Sequence, residues 1–146
     1  MGQVLAICIS DKKGTLKTQI NEAKFIYDFG IENDAHAGKW HRQVSLLEFN
    51  KIDEFRRKGG KVDFGAFGEN LVVEGIELHK LPIGTKIKIG DILLEVTQIG
   101  KKCHDKCNIY YQVGECIMPK NGIFTKVLSG GIVKVGDECK IVDLEV

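Results

Sequence analysis

The chain has 146 residues, the length of one domain and enough to enclose a core of its own. Its 21 basic and 20 acidic residues leave a formal net charge of +1, so no general attraction for nucleic acid or an acidic membrane surface follows. No run approaches the roughly 20 apolar residues of a membrane span, the opening MGQVLAICIS lacks a secretory signal, and five cysteines are an odd number, so a cytoplasmic protein with reduced thiols is expected.

Met1 to Ser10 is rich in Val, Leu and Ile and reads as a buried strand. Ala23 to Phe29 reads as a second short strand ending at Gly30. The run GIENDAHAGKWHRQVSLL from Gly30 to Leu47 then concentrates two histidines, the only tryptophan, two carboxylates and an arginine. Such groups are costly to bury without partners, so the run suggests a surface that meets a ligand. The plain alternative is a polar loop leading into a helix. Ser45 and Glu48 have the spacing of a capping box, which predicts a helix starting there. Phe49, Ile52 and Phe55 recur at helical spacing, Arg56, Arg57 and Lys58 suit a helix C-terminus, and Gly59-Gly60 stops it.

The remainder reads as β. Leu71 to Val73, Lys86 to Ile89, Ile92 to Ile99 and Ile132 to Val135 are short Val, Ile and Leu runs separated by turn signals. KIKIGDILLEV (Lys86 to Val96) and IVKVGDECKIV (Ile132 to Val142) each set a Gly-Asp pair between apolar arms, which predicts two hairpins. Phe67-Gly68-Glu69-Asn70 reads as a structural turn, and His79 as an exposed loop residue. With two prolines and no linker-like stretch, residues 1–146 are expected to form a single, mainly β domain, barrel-like, with one or two short α-helices.

The second chemical segment is GKKCHDKCNIYYQVGEC, Gly100 to Cys116. Lys101, Lys102, His104 and Lys106 surround Cys103, and nearby positive charge stabilises a thiolate. Asp105 could cap a short helix running to about Val113, packed by Tyr110 and Tyr111, whose N-terminal amides would favour the same anion. Cys103 is therefore the candidate for a reactive or metal-ligating thiolate, with Cys107 four residues on. The C-x3-C and C-x8-C spacings of Cys103, Cys107 and Cys116 differ from the paired C-x2-C units of zinc ribbons. Cys8 and Cys139 read as buried small apolar residues.

These motifs resemble the MOSC domain, the C-terminal module of molybdenum-cofactor sulfurases. The resemblance rests on Asn33-Asp34-Ala35-His36-Ala37-Gly38-Lys39-Trp40-His41-Arg42-Gln43-Val44-Ser45-Leu46-Leu47, with Asn33 where the family usually has glycine. It continues through Phe67-Gly68-Glu69-Asn70-Leu71, Gly90-Asp91 with the downstream Cys103, Gly122-Ile123-Phe124 and Val135-Gly136-Asp137. It implies a β-barrel that binds a molybdenum-pterin cofactor, with one cysteine that holds molybdenum or carries activated sulfur. Cys103 matches that cysteine by order, and Cys107 is the fallback. The match is closest to short bacterial members made of this domain alone, without the pyridoxal-phosphate domain of full sulfurases.

Under that resemblance Arg42 would grip the cofactor's phosphate with parallel donors, beside the helix that Ser45 would cap. His36 and His41 would hydrogen-bond phosphate or pterin, Trp40 would stack on the ring, and Asn70 and Glu69 would meet pterin amino groups. The plain alternatives are that the histidines bond the loop backbone, Arg42 pairs with Asp34 or Glu32, and Trp40 caps the core. Three functions are open at this point. The first is a cofactor-binding protein whose Cys103 ligates molybdenum in an oxidoreductase or carries sulfur to it. Its partners would be an electron-donor protein, or a cysteine desulfurase and a recipient molybdoenzyme. The second is a non-enzymatic cofactor carrier, and the third a small zinc-stabilised interaction domain.

Overall fold

The computed structural model describes residues 2–12, 17–100 and 122–142. Among them the chain forms β1 (Gly2–Ile9), β2 (Thr18–Ile20), β3 (Glu22–Ile26), β4 (Gly30–Ile31), β5 (Val44–Glu48), α1 (Phe49–Arg57), β6 (Leu71–Glu74), a 3-10 turn (Leu78–Lys80), β7 (Lys86–Ile89), β8 (Ile92–Ile99), β9 (Ile123–Ser129), β10 (Gly131–Lys134) and β11 (Glu138–Val142). The mainly β, barrel-like fold is the one expected. The helix anticipated after Asp105, together with Cys103, Cys107 and Cys116, lies outside the described residues. No helix among the described residues is long and apolar enough to cross a membrane.

Seven strands close into a barrel in the order β11-β7-β8-β9-β5-β6-β1, because β1 pairs back onto β11 through Gly2↔Cys139 and Gln3↔Glu138. Closure removes the free edges that an open sheet would expose. The far half of β1 carries β2, and a separate three-stranded sheet runs β10-β3-β4. Among the described ladders only β5 and β6 run parallel. Parallel neighbours need a long crossover, and residues 49–70, with α1, supply it.

Two cores lie on either side of the β1, β5 and β6 strands. Val4, Ile7, Leu46, Leu71, Ile87 and Leu94 fill the barrel. Ala6, Cys8, Leu47, Val72 and Phe67 meet Ile52 and Phe55 of α1 on the other face. Phe55 and Phe67 pack edge to face at 5.0 Å. The helix ends where Gly59-Gly60 predicts: Gly60 N–H donates to the Phe55 carbonyl at 3.1 Å, and a Cβ on Gly60 would lie 2.0 Å from the Phe55 ring.

Four local expectations are corrected. Ser45 does not cap α1; it lies inside β5, whose five residues are all buried because both faces of the strand are covered. A strand buried on both sides shows no alternation, so the capping-box spacing misled. Glu48 occupies the N-cap with no side-chain cap bond. Its carboxylate instead accepts from Nδ1 of His79 at 2.7 Å, so His79 is a packing partner rather than a loose loop residue. The Gly136-Asp137 pair does not close a hairpin either. It crosses between sheets, since β10 pairs with β3 while β11 pairs with β7 and β1. The first Gly-Asp pair does form a hairpin, with Ile89 opposite Ile92. The second strand stops at Ile26, ahead of a turn with Asp28 at φ 50°.

Candidate functional site

Residues 32–43 form the loop that joins β4 to β5. Asn33 has φ 70°, a left-handed backbone that glycine adopts freely and asparagine tolerates better than most residues. Glycine, the residue the resemblance leads one to expect here, adopts that conformation without strain. Ala35 N–H donates to the Ser10 carbonyl at 2.7 Å and Gly38 N–H to the Phe29 carbonyl at 2.7 Å, which holds the loop against β1 and the β3–β4 turn.

Lys17 anchors the loop from beneath, and its side chain is fully buried together with that of Asp34. Its ammonium donates to Asp34 Oδ1 at 2.6 Å, to His36 Nδ1 at 2.9 Å and to Ser10 Oγ at 3.3 Å. Asp34 also accepts the backbone amides of Ser10 and His36. An ammonium has only donors, so His36 Nδ1 is an acceptor and the neutral ring carries its proton on Nε2. Sequence reasoning missed Lys17. In the run KKGTLK nothing separates it from its solvated neighbours.

The outer face of the loop carries the other expected residues. Trp40 is 37% exposed, and its Nε1 donates to the His36 carbonyl at 2.7 Å. Its ring meets that of His41 edge-on, with centroids 5.9 Å apart. His41 Nε2 and Arg42 Nε both lie within bonding distance of Gln98 Oε1, at 2.9 and 3.0 Å. The Arg42 guanidinium lies over the Phe124 ring, 5.1 Å from its centroid. Among the described residues no carboxylate pairs with Arg42, because Asp34 is taken by Lys17. Every buried side-chain polar atom among them has a partner, so the two unbonded terminal nitrogens of Arg42 reach the surface. Trp40, His41 and Arg42 thus lie side by side, with the His36 ring beneath them on Lys17 and its carbonyl bonded to Trp40. Of the plain alternatives, Trp40 as a cap on the core and Arg42 paired with Asp34 or Glu32 are not what the described residues show.

Ser45 and Asn70 lie behind these residues, buried and bonded to each other. Ser45 N–H donates to Asn70 Oδ1 at 3.0 Å, Asn70 N–H to Ser45 Oγ at 3.1 Å, and Asn70 Nδ2 to the Cys8 carbonyl at 3.0 Å. They stitch β5, β6 and β1 together. Glu69 folds the adjoining turn by accepting the amides of Gly65 at 2.9 Å and Phe67 at 3.0 Å. Burial pushes its carboxyl above the usual range, against the opposing pull of those amides and of Lys17.

Burial, reinforced by the Glu69 charge, raises the Cys8 thiol to about 12, and burial raises Cys139 to about 12. Neither supplies a thiolate at neutral pH. No group of three or more His, Cys, Asp or Glu side chains able to hold a metal ion occurs among the described residues. Arg42, Trp40 and the histidines offer what a flat ring ending in phosphate would need: a two-pronged cation, a partly exposed aromatic ring and adjacent polar ring nitrogens.

A family model described as the MOSC domain matches residues 33–140. YuaD from Bacillus subtilis superposes with a TM-score of 0.79 at 20% identity, covering 97% of this chain and 96% of that one. YiiM from Geobacillus stearothermophilus gives 0.71 at 19% identity, over 98% and 76% of the two chains. YiiM from Escherichia coli gives 0.65 at 19%, over 97% and 70%. At such identities the likeness shows the shared barrel, and the activity has to be argued from the site. No curated protein matches the chain. The closed barrel, the ordered motifs and the matched span agree, and the chain belongs to the MOSC domain family, which is associated with molybdenum cofactor binding.

Proposed function

We propose that this chain binds the molybdenum cofactor, its phosphate on the Arg42 guanidinium and its pterin against Trp40, with the Cys103 thiolate as the ligand to molybdenum. One observation carries the reading. Arg42 is held on its edge by Gln98 and on its face by Phe124, yet keeps its terminal nitrogens at the surface without a carboxylate among the described residues. A cation fixed in this way is a receptor for an oxyanion, because a planar guanidinium meets two phosphate oxygens with two parallel donors. When bound, the cofactor supplies a molybdenum centre for which soft sulfur is a suitable ligand. The chain's own part is to grip the phosphate, offer an aromatic face to the ring and present a thiolate. Lysines and a histidine flank Cys103 in sequence and favour that thiolate. Ser45 and Asn70 support the site from behind through the seam they form. An electron-donor protein is the partner this reading calls for.

The test is the cofactor content of protein isolated from cells that make the cofactor, measured as molybdenum by mass spectrometry and as pterin by fluorescence. Wild type is expected to carry both. Arg42→Ala is expected to weaken cofactor retention about 10- to 100-fold, the range for losing a charge-assisted bond pair. Cys103→Ala is expected to lose molybdenum first. Wild type without pterin would overturn the proposal. Mass spectrometry of Cys103 after incubation with a cysteine desulfurase and cysteine separates the alternative role. An added sulfur mass would make Cys103 a sulfur carrier serving a recipient molybdoenzyme.

A further inference from the structure

We infer that Gln98 is a positioning residue, whose single amide oxygen sets the tautomer of the His41 ring and the direction of the Arg42 guanidinium. The inference rests on the reading of Arg42 as an oxyanion receptor and adds to it the group that aims the receptor.

The hydrogen-bond pattern leaves one assignment. Arg42 Nε–H can only donate, so the Gln98 atom 3.0 Å from it is the amide oxygen. The amide nitrogen then faces the Gly100 carbonyl, to which it donates at 2.7 Å. With both ends of the amide engaged, the side chain cannot flip. His41 Nε2, 2.9 Å from the same oxygen, must therefore carry a proton. Neutral His41 is accordingly an Nε2–H ring that offers the Nδ1 lone pair. It accepts from a ring N–H of a ligand, and it leaves the anion to Arg42.

Backbone irregularity places Gln98 there. The β8–β9 register slips between Val96↔Thr125 and Gln98↔Phe124, so Thr97 is an extra residue on the β8 side. A bulge of this kind re-aims adjacent side chains that a regular strand would send to opposite faces. Both then serve the same loop. Thr97 Oγ1 donates its single proton to the His41 carbonyl, the nearer of the two carbonyls it reaches, while Gln98 takes the side chains of His41 and Arg42. The register also sets Gln98 opposite Phe124, the residue beneath Arg42. One cross-strand pair thereby holds the guanidinium by its edge and its face.

The tautomer is read by long-range proton–nitrogen NMR of the histidine rings, with His41 identified by its absence in His41→Gln. Inorganic phosphate is the probe for Arg42, titrated in the same samples. Wild type is expected to show a single Nε2–H tautomer for neutral His41. Gln98→Leu is expected to give a mixture of tautomers and phosphate binding weaker by about fivefold, the scale of one net hydrogen bond. Gln98→Glu keeps an acceptor oxygen and is expected to retain the Nε2-protonated ring. Its charge competes for Arg42 and weakens phosphate further. It also provides the readout if the leucine variant does not fold. An Nδ1–H ring in wild type, or a ring and phosphate affinity indifferent to both substitutions, would sink the inference and leave the cofactor proposal standing. Phosphate binding absent in wild type, with a tautomer that still depends on Gln98, would sink the receptor reading and leave the positioning role standing.

Discussion

Lys17 Nζ lies 2.6 Å from Asp34 Oδ1, and neither side chain has exposed surface. This internal pair settles how charge is divided around the loop. Asp34, a possible partner for Arg42, is consumed below the loop, and Arg42 is left on the outer face. The pair is bonded on both sides, with Asp34 accepting two backbone amides and Lys17 reaching His36 and Ser10.

Breaking one side of such a pair strands a buried charge. Lys17→Met is expected to lower the unfolding free energy by about 3–5 kcal/mol. Asp34→Ala is expected to cost at least as much, because the Ser10 and His36 amides lose their acceptor as well. In urea denaturation at neutral pH, the double variant should lose less than the two single losses added together. Strict additivity would mean that the two groups do not interact.

Asn33 should tolerate only residues at ease with its φ of 70°. Asn33→Gly is expected to stay within about 0.5 kcal/mol of wild type, whereas Asn33→Val is expected to lose about 1–2 kcal/mol from left-handed strain. Equal thermal midpoints for the two variants would show that the conformation is not held.

Cys8 and Cys139 are expected to resist alkylation by iodoacetamide at pH 8 in native protein, as read by peptide mass spectrometry, since burial holds both thiols near 12. The same shift makes stability depend on alkaline pH. Unfolded thiols lose their protons near the ordinary value of 9.0, whereas folded ones keep theirs until about 12. The stabilisation is therefore complete below about 9 and drains away as pH rises toward 12, by up to about 1.4 kcal/mol per pH unit for each thiol. Denaturation curves between pH 8 and 11 should be shallower in pH for Cys8→Ala and Cys139→Ala than for wild type. Unchanged slopes would contradict this.

His79→Ala should lower stability by about 1–3 kcal/mol, since it leaves the buried Glu48 carboxylate with only the His79 backbone amide of its two described donors. Guanidinium denaturation checks it. A variant as stable as wild type would mean that water replaces the ring at no cost.

Some of this architecture was plain in local spacing. Lys86–Ile89 and Ile92–Ile99 are strands to the residue, because β-branched alternation around a Gly-Asp turn is a hairpin signal carried by neighbouring residues. The α1 stop at Gly59-Gly60 was equally legible, since a helix end depends on the backbone freedom of a few neighbouring residues. His36, Trp40, His41 and Arg42 stood out by their chemistry. Other features follow from contacts between residues distant along the chain. Ser45 belongs to a strand because Asn70, Gly68 and Phe124 flank it, and no neighbour in sequence records that. Lys17 is a buried anchor because Asp34 and His36 fold over it, while its composition is that of any solvated lysine. Gln98 reaches Arg42 across 56 residues because of a register slip, and the second Gly-Asp pair crosses between sheets because β3 and β7 claim its two arms. Periodicity describes which way a side chain faces within one element. Which partner waits there depends on how the barrel closes, and closure is a property of all its strands together.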